Sequence, residues 1–289
     1  MKLENEVLCV EIAEHGAEMT RILNKKTGEE VLWEADAKYW KRHAPVLFPN
    51  VGKTYKNTVK IDGVQYPTSQ HGFARDSEFK CIHAGVKEAK FLLTSTDEIK
   101  EVYPYDFELL ITYTLDKNVI NVKWEVKNPS DETIYFTIGG HPAFRFGKSE
   151  EKKEDYILRF PGKEKLEYIL INPAEAAVDP EKVSELHLEN ECCPMTEKLF
   201  EKDALIFDHA QIEEVWMCRK DGTPYVGMKA EGFPNFGIWS VKDAPFVCLE
   251  PWMGRCDNIG FNQELSQKEN VNSAAAGEKF EKEYQIIIG

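Results

Sequence analysis

Two histidines and one glutamate lie in segments where glycine, proline and aromatic residues surround a single polar side chain. His71 lies within residues 70–75, Gln-His-Gly-Phe-Ala-Arg. His141 follows two glycines and precedes a proline, and Glu250 precedes Pro-Trp. Such contexts are typical of strand ends, where the backbone can bring a side chain against a ligand. Because an imidazole and a carboxylate can give and take protons without a metal or organic cofactor, the pattern favours acid–base chemistry.

Each of these residues also has a structural interpretation. The proline after His141 restricts the backbone to extended geometry, so this residue fits a turn histidine as well as a catalytic one. The two glycines before it indicate a place where a ligand approaches the backbone. Glu250 follows apolar residues 246–249, and a carboxylate there must be paired, for example with Arg255, or used. Arg75 could pair with a neighbouring acidic residue, so both interpretations stay open on the residues alone.

The elements that would position these residues are predicted to be strands. Apolar residues alternate along most of the chain, and Asp62-Gly63 between two alternating runs is a strong hairpin signal. Evidence for helix is limited to residues 180–186, where a proline precedes one or two turns of amphipathic spacing. We therefore predict an all-β sandwich with few short helices. Further strands are predicted within residues 107–126, 134–138, 215–230, 236–241, 246–250 and 284–288.

Composition excludes several classes of partner. The 289 residues include 50 acidic and 36 basic side chains, a formal charge of −14. This charge repels phosphate backbones and anionic lipid, so we expect no nucleic-acid and no membrane partner. The amino terminus carries acidic residues where a secretory signal has basic ones, and no apolar run approaches the roughly 18 residues of a membrane span. We expect a cytoplasmic protein.

The cysteine content and the lack of linkers indicate the redox state of the thiols and the number of domains. Seven cysteines, an odd number without Cys-x-x-Cys spacing, predict reduced thiols. No Gly/Ser-rich linker or fixed repeat divides the chain, so a single domain is expected over residues 1–289. No familiar spacing of metal ligands is present, so we assign no metal-binding residue and expect no cofactor, and the sequence leaves metal dependence undecided. The sequence does not distinguish a monomer from a homodimer.

Four segments together resemble the aldose 1-epimerase, or galactose mutarotase-like, family, with its LacX-like branch most similar. They are residues 44–49, 70–75, 139–142 and 249–252, and they occur in the family's order across most of the chain. The resemblance implies a large antiparallel β-supersandwich, in agreement with the strand pattern. It also implies a monosaccharide or sugar phosphate as the substrate.

The resemblance assigns roles to individual residues. It implies that His141 is the general acid and Glu250 the general base. Where family members often have arginine this chain has Lys53, a poorer bidentate partner, and Arg42 is the residue that could compensate. The residues implied to contact sugar hydroxyls are Gln70, His71, Arg75 and Asp208. The aromatic residues that could stack on the sugar are Trp252, Phe144 and Phe73.

The expected reaction interconverts the α and β anomers of a hexose. Glu250 takes the proton of the C1 hydroxyl while His141 protonates the ring oxygen, with the two groups on opposite sides of this unit. A related branch acts on hexose 6-phosphates, for which Arg75, Arg42 and Lys53 could bind the phosphate. A non-catalytic sugar-binding or sensing protein is the alternative of another class. A glycoside hydrolase fits least, because it needs two carboxylates flanking the bond.

Overall fold

The regular structure of this chain is nearly all β. A computed structural model describes residues 1–147 and 150–289. Every pairing between two of its strands is antiparallel, which confirms the predicted fold class.

The strands are β1 Lys2–Glu4, β2 Leu8–Ile12, β3 Met19–Asn24, β4 Glu29–Glu30, β5 Val46–Leu47, β6 Thr58–Ile61, β7 Val64–Pro67, β8 Lys80–Ala84, β9 Glu88–Thr94, β10 Glu108–Asp116, β11 Val119–Lys127, β12 Ile134–Phe136, β13 Ile138–Gly140, β14 Ala143–Arg145, β15 Tyr156–Arg159, β16 Lys165–Tyr168, β17 Ile171–Asn172, β18 Ala177–Val178, β19 Ser184–His187, β20 Cys192–Pro194, β21 Leu205–Phe207, β22 Glu214–Arg219, β23 Pro224–Lys229, β24 Asn235–Trp239, β25 Phe246–Met253, β26 Asn272–Ala274 and β27 Lys279–Ile288.

Helical structure is sparse in the described part of the chain. The α-helix α1, Asp97–Lys100, is one turn long, and the side chain of Thr96 caps it by accepting a hydrogen bond from the Ile99 N–H. No helix within residues 1–147 and 150–289 is long and apolar enough to cross a bilayer. The 3₁₀ segments are Tyr55–Asn57, Ala74–Asp76, Lys153–Asp155, Glu197–Phe200 and Leu265–Gln267.

The helix predicted over residues 180–186 is wrong. Ser184–His187 forms β19, which pairs with β16 and places Leu186 opposite Leu166. Both leucines are buried. One or two isolated helical turns are marginal in water, so the segment gains more from a strand ladder that buries its leucine.

The predicted hairpins are present. β6 and β7 pair around the Asp62-Gly63 turn, and β10 pairs with β11 along its whole length. β22 and β23 form the third pair. Along β11 buried and half-buried residues alternate, as expected for a strand with one face against the core.

Two large sheets supply most of the core. Nine strands follow the order β20-β15-β22-β23-β27-β11-β10-β9-β8, and a six-stranded sheet contains β21-β24-β25-β13-β5 with β14 also paired to β25. Side chains from both sheets, such as Trp124 of β11 and Leu249 of β25, belong to one buried apolar cluster. β25 is central in its sheet and is buried along almost its whole length.

The two faces of β25 have different surroundings. Val247 and Leu249 face the main core. Cys248 and Trp252 belong to two smaller clusters on the other face. Because side chains alternate along a strand, Glu250 emerges on the face of Cys248 and Trp252, away from the main core.

Candidate active site

His141 lies in the connection between β13 and β14. Its backbone N–H donates to Pro45 O at 3.1 Å, which ties the connection to the loop before β5. The two glycines before it leave space for the protein's own aromatic residues, rather than for a ligand as predicted. A Cβ on Gly139 would lie 2.6 Å from Trp252 Cδ1, and one on Gly140 would lie 2.8 Å from the Tyr284 hydroxyl oxygen.

His141 and Glu250 are in direct contact. His141 Nε2 lies 3.2 Å from Glu250 Oε2. The two residues are 7% and 1% exposed, so water screens the pair poorly. Arg255, the structural partner considered for Glu250, instead binds another carboxylate, that of Asp208. The acid–base pair is therefore formed by the fold before any substrate binds.

Burial shifts both groups towards their uncharged forms. It lowers the pKa of His141 from 6.5 to about 3, and the charges of Arg75 and Arg42 act in the same direction. It also raises the pKa of Glu250 well above 4.5, and the nearby carboxylate of Asp203 adds to this shift. Both shifts favour an uncharged pair, with the shared proton on the carboxyl group, over an imidazolium–carboxylate ion pair.

The backbone of Gly52 fixes the tautomer of His71. The Gly52 N–H donates to His71 Nδ1 at 3.0 Å, so Nδ1 carries a lone pair and the proton is on Nε2. His71 N–H in turn donates to Gly52 O at 2.8 Å. Burial lowers the pKa of His71 well below 6.5, and the neighbouring His141 adds to the effect. His71 is thus a neutral donor next to His141, with ring centroids 5.5 Å apart.

Tryptophans fix the orientation of the His141 ring. Trp40 stacks on the imidazole, with centroids 4.7 Å apart and planes inclined by 27°. Trp239 contacts the same ring edge-on at 5.6 Å. The loop that carries Trp40 is anchored because Trp33 Nε1–H donates to Trp40 O at 2.8 Å. An imidazole packed in this way keeps one edge directed at Glu250.

A cavity of about 620 Å³ opens in front of the pair, in the size range of small-molecule sites, roughly 300–1,000 Å³. Polar and aromatic side chains share its wall, which suits the hydroxyls and apolar faces of a sugar. All but one of the predicted catalytic and polar substrate-binding residues border it. The side chains that line it include Trp40, Arg42, Lys53, Gln70, His71, Arg75, His141, Asp203, Trp239, Glu250 and Trp252.

Positive charge collects on one side of this cavity. Arg42 Nη2 lies 2.9 Å from Asp76 Oδ1, and Arg75 Nε lies 3.7 Å from Asp76 Oδ2. Asp76 is thus the carboxylate partner of both arginines. Together with Lys53 and Lys41, which also line the cavity, the two arginines form a cationic wall. Burial and the charge of Arg42 lower the pKa of Arg75, and the nearby carboxylate of Asp76 opposes this shift.

Asp208 does not join the predicted residues at the cavity. It lies on a different, smaller cavity. Its carboxylate is already engaged, because Arg255 Nε donates to its two oxygens at 2.9 and 3.0 Å and Asn235 Nδ2 donates at 2.7 Å. A buried carboxylate with these three hydrogen bonds holds the fold together at this point.

Asp203 is a second acidic residue at the cavity, besides Glu250, and the sequence reasoning missed it. It is exposed, and its φ of 83° places it in the left-handed region, where aspartate is among the more tolerated residues. No motif surrounds it in the sequence. Trp40 and Trp239 were missed as well, whereas Trp252 lines the cavity as considered. Phe144 and Phe73 do not line the cavity; Phe144 is fully buried and Phe73 packs against Phe48.

Comparison with known proteins identifies the family. A sequence model described as aldose 1-epimerase matches residues 1–262. The chain belongs to the aldose 1-epimerase family. Among curated relatives, the plasmid-encoded and chromosomal LacX proteins of Lactococcus lactis subsp. lactis are each 29% identical, over 100% of this chain and 99% of theirs. The resemblance inferred from the sequence is thereby confirmed.

Solved structures of the family share the whole fold. A galactose mutarotase related enzyme from Lactobacillus acidophilus is 30% identical, covers 100% of this chain and 97% of its own, and superposes with a TM-score of 0.93. A galactose mutarotase-like protein from Lactobacillus casei ATCC 334 is 27% identical with a TM-score of 0.90, covering 100% and 99%. The fold is therefore the galactose mutarotase-like one, and the family is one that acts on sugars.

Proposed function

We propose that this protein is an aldose 1-epimerase that interconverts the α and β anomers of a hexose. The observation that carries the proposal is the buried contact of His141 Nε2 with Glu250 Oε2 at 3.2 Å on the wall of a sugar-sized cavity. Membership in the aldose 1-epimerase family supports it. A protein that only binds sugar does not need a buried acid beside a buried base.

The reaction needs two coordinated proton transfers. Glu250, as base, takes the proton of the C1 hydroxyl while His141, as acid, protonates the ring oxygen, and the bond from C1 to the ring oxygen breaks. Rotation about the C1–C2 bond turns the other face of the aldehyde to the ring hydroxyl. Closure reverses both transfers: the ring hydroxyl returns its proton to His141 and the new C1 oxygen receives one from Glu250.

The geometry changes one expectation from the sequence. The two groups were expected on opposite sides of the sugar, but they lie side by side. This arrangement suits the reaction, because the C1 hydroxyl and the ring oxygen are bonded to the same carbon and are close neighbours. One edge of the sugar can therefore reach both groups from the cavity.

The shifted pKa values define the resting state of the pair. A protonated Glu250 and a neutral His141 correspond to the state after ring opening, when Glu250 has gained a proton and His141 has lost one. Binding of a cyclic sugar then requires that this proton moves across the 3.2 Å contact to His141. Hydrogen bonds from sugar hydroxyls to the carboxylate would favour that transfer.

Substitution of either partner tests the proposal. We expect Glu250→Gln and His141→Asn each to slow anomer exchange by at least about a hundredfold, because one positioned acid or base contributes roughly 10² to 10⁴. Polarimetry on a freshly dissolved pure anomer measures the rate. His83→Asn and Glu231→Gln change exposed residues away from the cavity and are the matched controls. Near-normal rates in both site variants would refute the assignment.

The cationic wall favours a second candidate, a hexose-6-phosphate 1-epimerase. Arg42, Arg75 and Lys53 line the same cavity, and a phosphate there would receive charge-assisted hydrogen bonds. Exchange rates of free and 6-phosphorylated hexose distinguish the candidates. Phosphate recognition predicts that Arg75→Gln raises KM for the phosphorylated sugar by about tenfold or more and leaves the free sugar nearly unaffected. Equal loss for both sugars would assign Arg75 to hydroxyl binding.

A further inference from the structure

Cys248 lies beside the acid–base pair, and the proposed reaction does not use it. Donor atoms of His141, Cys248 and Glu250 all lie within 4.8 Å of one another, and all three residues are buried. Cys248 and Glu250 are two positions apart on β25, so they face the same side, and His141 approaches from the neighbouring β13–β14 connection. We propose that these three side chains form an inhibitory binding site for a thiophilic divalent cation such as Zn²⁺ or Cd²⁺.

The donor set suits such an ion. Zinc accepts sulfur, nitrogen and oxygen ligands, and three protein ligands with one open position are a common zinc arrangement. A thiolate favours Zn²⁺ and Cd²⁺ over Mg²⁺ and Ca²⁺, which prefer oxygen ligands. Because His141 is remote in sequence from Cys248 and Glu250, ligand spacing did not reveal this group.

Two buried atoms of the group lack a hydrogen bond of good geometry. Glu250 Oε2 and His141 Nδ1 have no hydrogen bond, although both atoms are inaccessible to solvent. Buried polar atoms without partners are costly and rare in proteins. A cation bound to the carboxylate would supply the directed contact that the 3.2 Å approach of His141 Nε2 to Oε2 does not provide.

Charge balance favours binding at this depth. Binding needs Cys248 as the thiolate and Glu250 as the carboxylate, so any proton that these groups hold leaves to solvent. The resulting thiolate and carboxylate carry two negative charges, which neutralise the two positive charges of the ion. An overall neutral complex avoids the large desolvation penalty that a buried net charge would have.

Inhibition follows from the identity of the ligands. A bound ion occupies the carboxylate of Glu250 and a nitrogen of His141, so neither can transfer a proton. This consequence rests on the proposed function, whereas cation binding itself does not. The site is therefore inhibitory and does not contribute to catalysis.

Titration with Cd²⁺ tests the binding site. Thiolate coordination produces an ultraviolet charge-transfer band, and we expect it to saturate at one ion per chain and to be abolished in Cys248→Ser. The matched control is Cys81→Ser/Cys192→Ser, which removes two partly exposed thiols and should leave the band unchanged. Zn²⁺ should displace Cd²⁺, and excess Mg²⁺ should not. A band that survives in Cys248→Ser, or no band in the wild type, overturns the proposal.

A second variant covers the case in which Cys248→Ser does not fold. Glu250→Gln should weaken Cd²⁺ binding at least roughly tenfold, since even the loss of an outer partner of a metal ligand has about this effect. Unchanged affinity in this variant overturns the proposal. Zn²⁺ should also slow anomer exchange, and a chelator should restore it. If the band behaves as expected but the protein exchanges no anomer, the cation site stands and the proposed function fails.

Discussion

The backbone N–H of Gly52 donates a 3.0 Å hydrogen bond to Nδ1 of His71 and thereby fixes the proton of this imidazole on Nε2. His71 has a φ of 67°, in the left-handed region that asparagine tolerates better than most residues. His71 is therefore built as a donor to the cavity, with its other nitrogen already engaged.

This relationship predicts how His71 contributes. His71→Asn can keep an acceptor for Gly52 and lose the donor at Nε2. We expect KM for the sugar to rise about two- to tenfold, the value of one hydrogen bond between uncharged groups. Steady-state polarimetry at several sugar concentrations measures it. His71→Gln, which restores an N–H near the position of Nε2, should recover part of the loss. An unchanged KM in His71→Asn would exclude contact with the sugar.

Removal of the charge of Asp208 should lower the stability of the protein, whereas removal of the charge of Asp203 should weaken sugar binding. Asp208→Asn leaves Arg255 buried without its carboxylate, and we expect a loss of about 3–5 kcal/mol in the free energy of unfolding. Asp203→Asn changes an exposed residue on the cavity and should raise KM with little change in stability. Urea denaturation and polarimetry on both variants give the comparison. A raised KM with normal stability in Asp208→Asn would instead return Asp208 to the sugar site.

The raised pKa of Glu250 predicts a pH-dependent stability. Folded Glu250 holds its proton above the usual carboxyl pKa of 4.5, whereas the unfolded chain releases it. The contribution of Glu250 to the free energy of unfolding is therefore fully present below pH 4.5. It is lost as the pH rises towards the pKa of Glu250 in the folded protein, by up to about 1.4 kcal/mol per pH unit. Glu250→Gln should lack this slope.

The pKa of His141 is shifted in the opposite direction, so its effect on stability must be separated from that of Glu250. Because the pKa of His141 is lowered from 6.5 to about 3, its stability contribution is present above 6.5 and is lost as pH falls between these values. Because both proteins carry His141, the stability difference between the wild type and Glu250→Gln should be measured by chemical denaturation from pH 4.5 upwards. Parallel stability curves over this whole range would contradict a raised pKa of Glu250.

Trp40 should act by positioning His141. Its stacking on the imidazole, at a centroid distance of 4.7 Å, is the closest ring contact of that residue. We expect Trp40→Ala to lower kcat about two- to tenfold, because such an aromatic pair contributes roughly 0.5–1.5 kcal/mol. Trp40→Phe should restore most of the rate. If Trp40 only bound the sugar, KM would change and kcat would not.

Much of the fold was predictable because its information is local. The alternation in β10 and β11 and the Asp62-Gly63 turn each identify a hairpin within a few residues. Residues 180–186 show the limit of this reasoning. Their weak helical spacing was outweighed by pairing with β16, which depends on a partner strand elsewhere in the chain.

The sequence by itself determined the family, the β architecture and the residue types that could exchange protons. It placed His141 and Glu250 in unusual segments because glycine, proline and tryptophan near a polar residue leave a visible pattern. The tertiary structure alone decided that the two are in contact, that Asp203 rather than Asp208 reaches the cavity, and that Cys248 joins the pair. Distances between strands that are remote in sequence depend on how whole sheets pack, and no local pattern encodes them.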